Sequence, residues 1–217
     1  MGNEKFSIAI DNRMQPFYGE PIQKKGVVAV IVLKPLPHLI LPPNRAAHAL
    51  VRSVAEALPL SLVASWGTCG KGVMVINRQL PMGYLPSPLL WQGYTLYNPL
   101  CVPPAGSAAE LWSVVGAWLN HFGGSWAEGE LLTDGQGATP TLQATAERLQ
   151  PIITRGYATT HLQTDDPATL LARAVAAYHL TPRDLAFADP QLHKWLKHTL
   201  FDDLFWQKVN AEVSPAG

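Results

Sequence analysis

Along residues 107–124, SAAELWSVVGAWLNHFGG, apolar side chains return every three or four positions. Leu111, Val114, Val115, Trp118, Leu119 and Phe122 therefore share one face of a predicted helix. Ser107 and Glu110 have the spacing of a capping box, and Gly123–Gly124 end the pattern. The same period runs from Arg45 to Leu58, with Ala47, Leu50, Val51, Val54 and Leu58 on one face, Asn44 as cap and Pro59 as stop. A third helix is predicted over 140–149, capped by Thr139 with Pro140 in its first turn. Beyond residue 165 three cap-then-proline starts follow: Asp166-Pro167, Thr181-Pro182 and Asp189-Pro190. Leu170, Leu171, Ala174, Val175 and Tyr178 line the first of these helices.

Strand-like runs fill the intervals. FSIAI near the start and GVVAVIVLKPLPHLIL at 26–41 are rich in Val and Ile, the latter broken by Pro35 and Pro37. LSLVASW (60–66), VMVINRQL (73–80) and IITRGYATTHL (152–162) read as β. The intervening GTCGKG at 67–72 then reads as a hairpin turn. It is not a Walker loop: Gly67 and Gly70 are two residues apart instead of four, and Gly72 stands where a hydroxyl would hold magnesium. Residues 81–106 carry prolines interleaved with Tyr84, Trp91, Tyr94 and Tyr97, the composition of a binding loop, with one short strand near 89–97.

Up to residue 122 the predicted order is β, α, β, β, α. That predicts an α+β protein whose ferredoxin-like core spans residues 1–165, with a helical C-terminal subdomain over 166–217. The order is similar to that of the repeat-associated RNA-binding proteins of CRISPR effector complexes. The resemblance is architectural. Those proteins carry a glycine-rich loop near the end of the fold, and GGSWAEGE at 123–130 departs from it.

Composition changes this picture in one respect. Charged residues are 15% of the chain, against roughly 25% in a typical soluble domain, and there are seven tryptophans. Patches that face partners are depleted in charge and enriched in aromatics, so much of the surface is expected to lie against other subunits. Net charge is zero, and no Lys or Arg falls between Arg78 and Arg148. Cys69 and Cys101 are too few for a disulfide framework or a zinc site, so no metal or cofactor is expected. MGNEKFSIAIDNR has no secretory pattern, and VVAVIVL at 27–33 is too short to cross a bilayer, so no membrane partner and a cytoplasmic location are expected.

Two basic groupings are candidates for phosphate contact. Arg45, His48 and Arg52 share the polar face of the first helix, with Lys71 and Arg78 near it in the predicted fold. Lys194 and Lys197, with His198, stand near the C-terminus. Tyr84, Trp91, Tyr94 and Tyr97 are the candidate partner contacts. No residue is singled out as catalytic, because no GxSxG, HExxH, DFG or GxGxxG occurs. The sequence therefore predicts a non-catalytic interaction subunit of a larger cytoplasmic assembly, one that handles RNA or DNA in its ribonucleoprotein version. Two other readings stand beside it. One is a nuclease or hydrolase using His121, or His161 with Asp165 and Asp166. The other is a helix-turn-helix DNA binder at 172–192, with Leu180-Thr181-Pro182 as the turn.

Overall fold

The computed structural model describes residues 38–40, 45–69, 72–76, 80, 82–91, 94–103, 105–124 and 130–213, of which 38–40, 68–69, 91 and 94 are described by backbone alone. FSIAI at 6–10 and most of the β run expected at 26–41, which opens the β, α, β, β, α order, lie outside these residues; of that run 38–40 are described, as a strand.

The helix predicted from the capping box forms as α3 (Ala108–Gly123): Glu110 N–H donates to Ser107 Oγ at 3.2 Å, and Ser107 N–H donates back to Glu110 Oε2 at 2.6 Å. Its burial extends beyond the predicted stripe to Trp112, Gly116, Asn120 and His121. The extra burial arises because α3 is covered on two sides, by a sheet and by α6 (Pro167–Leu180). α6 crosses α3 closely. A Cβ on Gly116 would stand 2.8 Å from the Cα of Ala172, so only glycine allows this approach.

The main sheet has four short strands in the order β1 (His38–Ile40), β2 (Met74–Ile76), β6 (Leu100–Val102), β3 (Gly83–Tyr84). β1, β2 and β6 are parallel neighbours, and β3 pairs antiparallel with β6. Every residue of β2 and β6 is buried, as expected of strands covered on both faces. β4 (Leu89–Trp91) and β5 (Tyr94–Leu96) form a separate hairpin, so the 81–106 segment holds four strands where one was expected. Cys101 lies within β6, where burial pushes its thiol up to about 11 and keeps it protonated.

α1 (Arg45–Ala57) buries the predicted face. The strand expected at 60–66 is instead α2 (Leu60–Cys69). Alternation would put Leu60, Leu62, Ala64 and Trp66 on one face, yet Leu60 and Ala64 are exposed while Leu62, Val63 and Trp66 are buried, which is helical spacing. A tertiary contact supplies part of the cause: the Asp203 carboxylate accepts from Ser61 N–H at 2.8 Å, capping the first turn of α2 from a position 142 residues away. This contact holds the Asp203 carboxyl below its usual range. With α2 helical and β2 parallel to β1, GTCGKG is not a hairpin turn. It leads from a helix into a strand.

The second β-like expectation, 152–162, is also overturned. α4 (Pro140–Arg155) continues past Pro151 to a left-handed cap at Gly156, and α5 (Thr159–Leu162) follows. Its half-buried Ile152 and Ile153 pack on the hydrophobic cluster as helical residues.

The late helices are α7 (Pro182–Ala188), α8 (Pro190–His198) and α9 (Asp203–Val213). The long run after Asp189 is interrupted at 199–202, where Asp202 Oδ1 accepts from Leu204 N–H at 3.0 Å and restarts the helix. α9 packs on α2 through Asp203 and through Asn210, which bonds Ser65 Oγ at 2.6 Å and the Ser61 carbonyl at 3.1 Å. Lys34–Gly217 form one compact unit, with α6, just past the expected boundary at 165, lying along α3.

The aromatic residues explain much of this cohesion. Trp66 stacks on Trp118 with ring centroids 3.8 Å apart, Trp118 on Phe122 at 4.6 Å, and Phe122 lies 5.7 Å from Trp206. The stack joins α2, α3 and α9. Gly72, at φ +77°, closes over it: its carbonyl accepts from Trp66 Nε1 at 2.8 Å, and a Cβ there would meet Trp118 Nε1 at 2.2 Å. Trp66, Trp112, Trp118, Trp195 and Trp206 are all buried in the chain's own core. The expectation that the tryptophans mark a surface hidden by neighbours is thus corrected for these five. Trp126 and the Trp91 side chain lie outside the described residues.

Candidate binding groove

A groove of about 700 Å3 runs between β3, α3 and α6. Along α3 its floor is Ala109, Ser113, Ala117 and Asn120, spaced four, four and three residues apart and so on one helix face. α6 contributes Ala168, Thr169 and Ala172. Ala109, Ser113 and Ala117 on α3 and Ala168 and Ala172 on α6 are small, and the two backbones meet at Gly116 while a channel stays open beside them.

Polar atoms sit at its margins. Glu110 belongs to the capping box, and the Ser107 N–H and hydroxyl hold its carboxyl below the ordinary range. Asn120 is fixed at the floor: its amide donates to Thr133 Oγ1 at 2.9 Å, and its carbonyl accepts from Thr133 N–H at 3.0 Å. Arg173 Nη1 donates to the carbonyls of Leu162 (2.7 Å) and Gln163 (2.9 Å), satisfying the end of α5. Tyr84, on β3, forms one wall, and its hydroxyl shares a hydrogen bond with His121 Nδ1. Met82, 57% exposed, lies at the rim.

The predicted site residues are distributed as follows. Arg45, His48 and Arg52 are exposed on one face of α1, with Glu56 one turn after Arg52, so this grouping is brought together. Lys71 and Arg78 lie outside the described residues. Lys194 and Lys197 are exposed on α8 beside His198. Of the partner contacts, Tyr84 is half-buried in the groove wall and Tyr97 is 50% exposed. Trp91 and Tyr94 face each other in the β4–β5 register, with their side chains outside the described residues. His121 is buried against Tyr84, whereas His161 is exposed on α5, and the nearby Asp166 is engaged in capping α6 through Thr169 N–H at 2.8 Å. The Thr169 hydroxyl, together with that N–H, holds the Asp166 carboxyl low.

Sequence reasoning missed the groove because its floor residues are small and unremarkable singly; their four-residue recurrence on α3 was the available signal. It also missed Arg148 on α4 and Lys208 on α9, which share a cavity of about 280 Å3 with His198. Among the described residues no three His, Cys, Asp or Glu side chains gather as metal ligands would, and no helix is long and apolar enough to cross a membrane. The chain matches no family model, no curated protein and no solved structure.

Proposed function

We propose that the protein is a non-catalytic interaction subunit of a larger cytoplasmic assembly, and that the groove between β3, α3 and α6 receives an apolar segment of a partner protein. The groove carries this reading: its walls are apolar, its floor is too small-chained to fill it, and Met82 stands exposed at its edge. A partner segment with aliphatic side chains on one face and a carboxylate toward Arg173 suits that lining. In the ribonucleoprotein version of the reading, the cations of α1 and α8 face RNA or DNA.

The test is a photo-crosslinker placed at Ser113, with a control at exposed Thr160 on α5. In the native host, crosslinks from Ser113 alone should map to a single apolar segment of one partner chain, and Ser113→Trp should abolish the assembly while leaving the fold intact. Assembly unaffected by Ser113→Trp would refute the groove.

One contact favours the enzyme reading, the bond between Tyr84 and His121 at the groove wall. Under that reading Tyr84→Phe and His121→Ala abolish turnover of a small substrate with the fold preserved. Under ours neither alters assembly through chemistry.

A further inference from the structure

A second surface is made of charge. α4 and α8 run antiparallel, because Trp195 Nε1 donates to the Thr145 carbonyl at 3.2 Å near one end and Arg155 Nη1 donates to Gln191 Oε1 near the other. Arg148 and Arg155 on α4, Lys194, Lys197 and His198 on α8, and Lys208 on α9 are all exposed. Arg148, His198 and Lys208 line one cavity of about 280 Å3. Arg155 lies seven residues beyond Arg148, about 10.5 Å along the helix axis, so cationic groups mark both ends of the seam. The carboxylate in the cavity, Glu212, is bound by the Thr141 N–H at 3.0 Å and by the Thr141 hydroxyl, which ties it to the first turn of α4.

The rings at one end of this seam are unusual. Phe187, in the last turn of α7 and four residues before Gln191, is 93% exposed. Tyr157, two residues after Arg155, is 61% exposed. Both lie in sequence beside the Arg155–Gln191 contact.

We propose that the α4–α8 seam binds the phosphate backbone of a single-stranded nucleic acid, with Phe187 and Tyr157 offering faces on which its bases stack. A row of cations suits any polyphosphate. Bare aromatic rings beside it suit unpaired bases, whose faces a duplex hides. The proposal rests on the ribonucleoprotein version of the reading above and is independent of the groove.

Fluorescence anisotropy of the full chain with a labelled oligo-U or oligo-dT of about 20 nucleotides, longer than a typical single-strand site, tests it across a salt series. Arg148→Gln/Lys194→Gln/Lys208→Gln should weaken binding at least about tenfold at low salt and flatten the log–log salt slope by about 2. Tyr157→Ala/Phe187→Ala should weaken it about tenfold with the slope unchanged. Ser113→Trp should bind the oligonucleotide as wild type does, which separates this site from the groove. All these cations and rings are exposed, so melting temperature should not move. Absence of binding, wild-type affinity in the cation variant, or equal competition by duplex or inorganic polyphosphate with no effect of the ring variant would each overturn the proposal.

Discussion

The two sides of α3 are built by opposite rules. On one, Trp118 and Phe122 meet Trp66 and Trp206, and the space is filled by stacked rings. On the other, Ala109, Ser113 and Ala117 recur at helical spacing and leave about 700 Å3 open. Large rings close the junction of α2, α3 and α9 at interior density, where removing volume is costly. Small side chains keep the groove vacant, where adding volume meets little resistance. Close packing and open space are thus assigned to different faces of one helix.

The comparison breaks most sharply at Trp118. Trp118→Ala removes one of the two inner rings of the stack and should destabilise the protein by about 3–5 kcal/mol, read by denaturant unfolding. A loss under about 1 kcal/mol would mean that the rings do not act as a packed unit.

A second probe lies where α3 meets α6. His179 stacks on Trp112 with centroids 3.6 Å apart and stands edge-on to Phe201 at 4.5 Å, while its Nε2 has no hydrogen-bond partner among the described residues. Burial lowers its pKa from 6.5 to about 4. The unfolded chain therefore takes up this proton at a higher pH than the folded one. The stability involved is fully present above pH 6.5 and is lost as pH falls toward 4. His179→Phe should flatten the pH dependence of the melting temperature across that window. An unchanged profile would show that this imidazole is not held neutral by its rings.

The smallest effect is expected on the open side. Ser113→Leu projects into the groove and should change stability by no more than about 0.5 kcal/mol. A loss comparable to that of Trp118→Ala would erase the distinction between the two faces.

What the sequence revealed follows the range of the forces involved. Local signals held: the Ser107–Glu110 box, the caps at Thr139 and Asp166, and the apolar face of α1 all appear as expected. The failures at 60–66 and 152–162 lie where apolar runs are short and the two periods are hard to distinguish. At 60–66 the deciding contact comes from Asp203, far along the chain. β6 was hidden among prolines, since its three residues are strands by virtue of their neighbours β2 and β3. The basic groupings were legible on α1 and α8 because each lies on one helix. Arg148, Lys208 and His198 come from three helices, and only folding brings them to one cavity. Trp66, Trp112, Trp118, Trp195 and Trp206 were expected at the surface and lie in the core, because composition does not say which way a ring faces.

α9 gives the molecule a timetable. Asp203 and Asn210 secure the first turns of α2 across 142 to 149 residues of chain, and Glu212 secures the first turn of α4. During synthesis the start of α2 waits for Asp203, and the start of α4 has only its own Thr139 cap, until the ribosome has released α9. A chain stalled short of residue 203 would leave the rings of α2 and α3 without Trp206 to close the stack.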